Sequence, residues 1–382
     1  MPYYSKILII GTGPVGYGAA LGLAKAGHDV ALVGPDAPPV RDGRTVALLD
    51  GSVRYLSSLD LWDRLQTEAA PLAYMRMIDD TGSLFRAPPV TFKASEVQLE
   101  AFGYNIELAT LVEQLREAAS HMQSIKRIDG QVIHLSTNEA GHCEATLSSG
   151  EIIRSQILIG ADGKESIVRV FAGIGVKQWT YPQSALTAVF SHRRDHDDIS
   201  TEFHTRQGPF TLVPLPGRRS SLVWMMDPAR AKRMMSLNDR EFERAVEHQA
   251  QSMLGAMTVE GPRGILPMSG LSAERYAVGH AALVGEAAHV FPPIGAQGLN
   301  LGFRDVADLV KALTAADGNQ ALERYHAARQ ADVKVRTMAV DLLNRSLLSD
   351  FLPVDLARSV GLLTISSITP LRRFMMRRGA GH

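Results

Sequence analysis

Short, unbroken apolar runs recur along the chain. Ile7-Leu8-Ile9-Ile10 leads into Gly11, Ile157-Leu158-Ile159 into Gly160, and Ala281-Ala282-Leu283-Val284 into Gly285. Runs without polar alternation fit strands covered on both faces, as in a parallel sheet. After the first run, Gly13 and Pro14 open a segment that keeps Gly16, Gly18, Ala19 and Gly22 along one flank. Proline suits a first helical turn because its missing N–H would have no partner there. The small residues keep that flank thin enough to press on a sheet. Gly27 stops the helix just after Lys25, and Asp29 to Val33 returns as a second strand.

Elsewhere the period changes. Val53, Leu56, Leu59 and Leu61 recur near helical spacing, with Asp50 or Ser52 as candidate caps. Ser166 and Val168 begin a further helix, Asp239 to Met253 reads as another, and Leu299, Leu301, Val306, Leu309 and Leu313 mark a helix face. Thr201 to Pro228 holds two strand-like runs around Pro216-Gly217-Arg218-Arg219, which reads as a hairpin. Ala73 to Leu99 has the same character, so a second sheet is expected, inserted into the first unit. The charge-rich stretch His192 to Asp198 reads as a solvated loop. No internal repeat or low-complexity tract is evident.

Length and composition narrow the class. The 382 residues suit two interleaved domains or one large one, and 45% are hydrophobic, enough for a sizeable core. Lys plus Arg equals Asp plus Glu at 40 each, which argues against a nucleic-acid partner. The single cysteine, Cys143, excludes an internal disulfide and a multi-cysteine metal site. No stretch approaches the roughly 20 apolar residues that span a bilayer. The expectation is a cytoplasmic protein without a bound metal.

Gly11-x-Gly13-x-x-Gly16 between two strands places a helix N-terminus where a pyrophosphate can rest. Gly11 allows the turn and Gly13 lets a phosphate approach the backbone. The spacing alone does not separate NAD from FAD. The acid usually found at the end of the second strand is missing: Gly34 stands there, and Asp36 follows at about the usual offset of 20 residues from the last glycine. Asp36 is either a ribose partner or a turn residue beside Pro35. Arg44 is either a surface arginine or a phosphate fork. Asp162 sits at the carboxyl end of a strand, where α/β ligands bind, though a carboxylate between glycines is also a common turn former. The amides around Gly298 to Asn300 open a helix and favour negative charge. His289 has no metal partner or nucleophile spaced to match it and reads as structural.

Together, Gly11 to Gly16, Gly160-Ala161-Asp162-Gly163 and Gly285 to Asn300 resemble the marks of the FAD-dependent aromatic hydroxylases, the group A flavoprotein monooxygenases. Their order and separation match over most of the chain. Within that group the chain is most similar to the ubiquinone-biosynthesis hydroxylases, through Phe102 to Glu107, the stretch GPFTLVPL followed by SLVW, and the tail from Gly361. It departs at Glu286, where an Asp is usual, at Leu108, where an Asn is common, and at Gly34. Binding of FAD is expected to be retained but altered.

The resemblance implies an α/β fold: a Rossmann-like FAD-binding domain in three parts (1–72, 101–178 and 268–330), an inserted mixed β-sheet substrate domain (73–100 and 179–267), and C-terminal helices over 331–382. It implies bound FAD, reduced by NADPH or NADH, with O2 as co-substrate and oxygen transfer to an electron-rich ring. FAD contacts are expected from Gly11, Gly13, Pro14, Val15, Gly16, Asp36, Arg44, Asp162, Glu286, Pro293, Gly295, Gln297, Gly298, Leu299 and Asn300, and Arg169 is expected to face the nicotinamide. No catalytic base is identified. His204, Phe210, Leu212, Trp224 and Pro292 are candidates for the substrate pocket, with Met226, and His204 is a candidate phenol partner. The apolar turn Phe291 to Ile294 would exclude water.

The expected substrate is a small aromatic compound, polyprenylated if it belongs to quinone biosynthesis. The basic, apolar end with Arg372, Arg373, Arg377 and Arg378 suits a peripheral membrane contact, a partner in a biosynthetic complex, or simply solvent. Three alternatives stand beside this reading: a hydroxylase of a soluble aromatic compound, a flavin-dependent reductase of isoprenoid chains, and a degenerate homologue that scaffolds a complex.

Overall fold

The computed structural model describes residues 3–82, 88–291 and 297–332. The expected contributions of Pro292, Pro293 and Gly295, and the expected C-terminal helices beyond residue 332, lie outside the described residues.

The first apolar run forms β1 (Tyr3–Ile10), and Ile7, Leu8 and Ile9 are fully buried. It is sandwiched in parallel between β2 (Val30–Gly34) and β11 (Ile152–Gly160). β8 (Ile125–Asp129) extends the sheet beyond β2, and β18 (Ala281–Leu283) extends it beyond β11, both in parallel. β17 (Ala277–Val278), β9 (Val132–Thr137) and β10 (Cys143–Leu147) complete it with antiparallel pairings. The register decides the rest. Ile10 pairs with Val33 and Gly160, and Gly160 with Leu283. Three runs far apart in sequence therefore end on the same edge of one sheet, where open α/β sheets hold ligands.

Helices cover that sheet. α1 (Pro14–Lys25) has Pro14 in its first turn and Gly13 as N-cap. It packs against α8 (Gln297–Ala315) and α4 (Leu108–Ser120). Residues 318–332 are also helical, and from them Arg329 and Tyr325 are buried against the sheet side. α2 (Asp50–Ser58) ends before Leu59 and Leu61, and Leu49 is its N-cap, so neither Asp50 nor Ser52 caps it. α3 (Trp62–Gln66) and the short α5 (Ile167–Phe171) complete this half.

A second, mixed sheet runs in the order β19-β16-β12-β15-β14-β13-β5-β6. Its strands are β5 (Tyr74–Asp79), β6 (Val90–Lys93), β12 (Val176–His192), β13 (Ile199–Thr205), β14 (Gly208–Leu215), β15 (Arg219–Met226), β16 (Met257–Ala273) and β19 (His289–Val290). The expected hairpin is β14 and β15. The boundaries expected at 178/179 and 267/268 fall inside the long strands β12 and β16. α6 (Pro228–Ser236) and α7 (Asp239–Gln249) cover one face, with Ala231, Met234, Phe242 and Val246 packed on Leu186, Phe190, Phe203, Phe210, Leu222 and Trp224. A small sheet of β3 (Thr45–Leu49), β7 (Gly103–Glu107) and β4 (Ala70–Pro71) joins the two halves.

The His192 to Asp198 stretch is not a merely solvated loop. His192 and His196 are buried, with His192 Nε2 3.0 Å from Ser220 Oγ and His196 Nε2 3.0 Å from the Leu215 carbonyl. A buried imidazole needs such partners, and here they pin the loop to the end of the hairpin.

Candidate active site

The glycines do what the spacing predicts. Gly11 adopts φ +117, and a Cβ there would stand 2.1 Å from the Ala161 carbonyl oxygen. A Cβ on Gly16 would stand 1.9 Å from the Gly11 carbonyl oxygen. The β1–α1 turn is thus pressed on the turn after β11, which Ala161 N to Ile10 O at 2.8 Å fastens. Gly13 differs, since nothing lies within 4 Å of the position its Cβ would take. The N-terminus of α1 is therefore uncrowded at Gly13. These features fit a dinucleotide pyrophosphate.

Val15 links this turn to the third one. A Cβ on Gly285 would be 3.1 Å from Val15 Cγ2, and one on Gly302 would be 2.6 Å away. Gly285 and Gly302 therefore act as notches for the Val15 side chain. Gln297, Gly298, Leu299 and Asn300 form the first turn of α8, so their amides have no carbonyl one turn earlier in the helix. A Cβ on Gly298 would also meet nothing within 4 Å. The starts of two helices, α1 and α8, thus belong to one packed unit, which suits a long ligand with anionic groups.

Several expected contacts are spent on protein instead. Asn300 Oδ1 accepts from the Leu49 amide at 2.8 Å and Ser52 Oγ at 2.6 Å, while its Nδ2 donates to the Ala47 carbonyl at 2.7 Å. Its side chain ties α8 to β3 and α2. Asp36 is paired with Arg116 at 2.9 Å and with Arg127, and its amide donates to Asp129 Oδ1. A carboxylate held by two guanidiniums is a poor ribose partner. A side chain on Gly34 would be 2.7 Å from Thr12 Oγ1, so the strand-end acid has no room here. Arg44 is exposed, with Nε 2.7 Å from Asp42 Oδ2. Glu286 is exposed on the turn Gly285–Ala287. Asp162 Oδ2 accepts the Val168 amide at 3.2 Å, the turn-former role, while Oδ1 is buried without a partner. Burial pushes the Asp162 carboxyl above its usual range, against the hydrogen bonds that favour its charge. Arg169 is buried, and it donates to the carbonyls of Ala287 at 2.9 Å and Lys164 at 2.7 Å. It clamps the second turn to the third rather than reaching into the cleft.

Three interactions escape the sequence reading. Asp305 and Arg329 are one: His289 Nε2 lies 2.7 Å from Asp305 Oδ2, which also accepts the Gly285 amide at 2.9 Å, and Arg329 Nε lies 2.7 Å from Asp305 Oδ1. Asp305 is a fully buried acid on the inward stripe of α8, a signal the apolar spacing of that helix does hold. The second is Thr45 Oγ1 to Ser221 Oγ at 2.8 Å, with Asn105 Nδ2 reaching the Pro214 carbonyl at 2.8 Å. The third is Lys164 Nζ to Ser269 Oγ at 3.0 Å. The last two bring one face of the mixed sheet against the nucleotide-binding half.

Strand alternation then decides which side chains line the cleft. Ser221 faces the nucleotide-binding half, so Val223 and Met225 do as well. Met225 packs with Ala185, Met268, Tyr181 and Val223 as a separate apolar cluster. Phe210, Leu212, Trp224 and Met226, expected in the substrate pocket, point the other way, into the core under α6 and α7. The period-2 rule is the signal that corrects them: Thr211, Val213, Val223 and Met225 share the face of Ser221, toward the nucleotide-binding half. His204 is on the cleft face and is buried, with Nε2 2.7 Å from Glu202 Oε1.

Comparisons with known proteins show the family of the chain. Residues 4–339 match the family described as FAD binding domain. The chain is 32% identical to ubiquinone hydroxylase UbiL of Rhodospirillum rubrum over 389 residues, covering 99% of this chain and 90% of the relative. It is 32% identical to 3-demethoxyubiquinol 3-hydroxylase of Escherichia coli over 391 residues, covering 99% and 98%. Its fold resembles the crystal structure of p-nitrophenol 4-monooxygenase PnpA from Pseudomonas putida, with a TM-score of 0.81 at 18% identity, covering 98% and 97%. The chain belongs to the FAD binding domain family, and within it to the flavoprotein hydroxylases that include these ubiquinone-biosynthesis enzymes.

Proposed function

We propose that this FAD-dependent monooxygenase hydroxylates the phenolic ring of a ubiquinone precursor, using NAD(P)H and O2. One observation carries the reading: the apolar cluster Tyr181, Ala185, Val223, Met225 and Met268 covers the sheet face that Thr45–Ser221 holds against the nucleotide-binding half. An apolar wall beside a cofactor cleft suits a water-poor ring with a hydrophobic tail. The hydroxylase relatives at 32% identity support the same substrate class.

Bound FAD would supply the hydride acceptance and oxygen activation that side chains lack. The chain's own residues do the rest. The N-termini of α1 and α8 would hold the anionic groups, with Gly13 and Gly298 leaving space for close approach. Val15, Gly285 and Arg169 keep the three turns at fixed separation. The apolar cluster orients the ring and excludes water. Because Gly34 and Asp36 do not offer a free acid, the adenosine end would be held less by carboxylate contact than by the backbone of the β1–α1 turn.

No described helix is long and apolar enough to cross a membrane. A polyprenylated substrate would instead be reached from the surface, and the basic end with Arg372, Arg373, Arg377 and Arg378 fits an anionic bilayer. The test is NAD(P)H oxidation by FAD-loaded protein under isotopically labelled O2, with short-chain demethoxyubiquinol analogues. Label in the ring product supports the reading. Cofactor oxidation without incorporation, or a protein that cannot take up FAD, overturns it.

A further inference from the structure

We propose that Glu202 and His204 form a proton-accepting pair for the ring hydroxyl of the substrate, an inference that rests on the phenolic-substrate reading above. Register fixes where these side chains stand. Glu202 pairs with Thr211, Thr211 with Val223, and Val223 with Thr187, so the four share one row on the cleft face. His204 is two positions further along β13, on the same face, beside Pro209 and Asp79 in register. Only the small Thr211 separates the Glu202 row position from Val223, a member of the apolar wall. The pair is therefore a polar end to an otherwise apolar row, where the oxygen of a phenol belongs if its ring lies on Val223.

The chemistry of the pair is directional. Glu202 Oε1 lies 2.7 Å from His204 Nε2, and Oε2 accepts from Thr211 Oγ1 at 3.3 Å. Burial opposes charge on Glu202, but the His204 hydrogen bond and charge outweigh it and hold the carboxyl below its usual range. An ionised carboxylate only accepts, so the hydrogen between the two is on Nε2, and Nδ1 is an acceptor whenever it carries no hydrogen of its own. Among the described residues, Nδ1 has no hydrogen-bond donor. The charged neighbours are on β5 and after β13: Asp79, whose Oδ1 accepts from Thr81 at 2.7 Å, and Arg206, whose Nε donates to the Thr81 carbonyl at 2.7 Å. β14 and β15 contribute Pro209, Thr211 and Met225, which bear no charge.

In the step inferred, the phenol O–H bond breaks, its electron pair stays on the ring oxygen, and the proton bonds to His204 Nδ1. Glu202 balances the imidazolium. The ring becomes richer in electrons, which favours oxygen transfer to carbon, and the proton returns to the ring oxygen as the product leaves.

The test uses FAD-loaded full-length protein and 4-nitrophenol as probe, since its neutral and ionised forms absorb differently. Wild type is expected to convert bound probe to the phenolate at a pH below that at which free probe ionises. Glu202→Gln keeps the shape but removes the negative charge that would balance the imidazolium. That variant and His204→Gln are expected to lose the phenolate band, with product formation from a demethoxyubiquinol analogue falling roughly 10²-fold. Retained flavin absorbance checks that both are folded. Absence of the band in wild type, or its persistence in both variants, overturns the pair. A band that behaves as expected in a protein yielding no hydroxylated ring keeps the pair and overturns the hydroxylase reading.

Discussion

The Asp305 carboxylate joins two helices and the strand β19: its Oδ2 is 2.7 Å from His289 Nε2, while its other oxygen meets Arg329 Nε at 2.7 Å. All three side chains are essentially without solvent exposure. Burial alone would raise the Asp305 carboxyl, but His289 and Arg329 together hold it below its usual range. Because Oδ2 also accepts the Gly285 amide, the pair sets the position of the turn that carries Glu286. Removing Asp305 leaves Arg329 buried with fewer partners. Asp305→Ala is expected to cost about 3–5 kcal/mol, the range for breaking a buried ion pair, read by urea unfolding.

The same residue sets an acid limit. A carboxyl depressed by folding adds stability that is present above its unfolded value, about pH 4, and is lost as pH falls through the folded value. Wild type should therefore lose stability steeply below about pH 4. In Asp305→Asn that part of the slope should be absent. Unfolding midpoints measured across a pH series for both proteins decide the matter, and parallel curves would remove Asp305 from the explanation.

The glycines of the first turn separate folding from ligand binding. Gly13→Ala meets open space in an extended conformation, so stability without FAD should change by no more than about 0.5 kcal/mol. Its methyl stands where a phosphate must come, and FAD affinity should drop at least about tenfold, equivalent to 1.4 kcal/mol. Gly16→Ala would collide with the Gly11 carbonyl and should prevent folding. Calorimetric FAD titration and thermal melts on the two variants distinguish these outcomes.

Val15 and Gly302 should be coupled. Gly302→Ala places a methyl 2.6 Å from Val15 Cγ2, an overpacking expected to cost about 1–3 kcal/mol. Val15→Ala leaves a void beside Gly285. The double variant should be more stable than the sum of the two losses predicts, a cycle readable by denaturant titration. Strict additivity would mean that the notch is not what holds α8 to α1.

Opposite faces of β15 should respond differently to substitution. Trp224→Leu removes a core side chain packed on Phe210 and should lower stability by about 2–4 kcal/mol while leaving the substrate KM within about twofold. Val223→Thr puts a hydroxyl on the apolar wall and should raise KM several-fold with a smaller loss of stability. Steady-state kinetics beside melting curves test the assignment, and the reverse pattern would mean that the cleft lies on the α6–α7 side.

Elements that depend only on neighbours along the chain are legible in the residues themselves. Gly11, Gly13 and Gly16 between apolar runs predict a turn, a helix and a buried strand, because local sterics and short-range periodicity decide them. The hairpin around Pro216 and Gly217 and the helix after Gly298 follow for the same reason. Asp36 shows where such reasoning stops. Its offset from Gly16 suits a ribose partner, yet Arg116 of α4 and Arg127 of β8, 80 or more positions away, take its charge. Trp224 shows a second limit: an apolar residue in a strand has two possible faces, and only the contact of Ser221 with Thr45 says which one is the cleft.

The sequence by itself determined the βαβ unit, the three glycine-bearing turns and the family they resemble, since each is a short stretch whose backbone demands particular residues. Only the tertiary structure decided which polar groups remain for a ligand. Asn300, Arg169 and Asp305 could each have faced the cofactor, but parallel pairing of β1, β11 and β18 brings their turns so close that they bond to protein instead. A polar group buried within reach of a partner takes it, and which partners come within reach is set by strand register, a property of pairs of segments that no single segment contains.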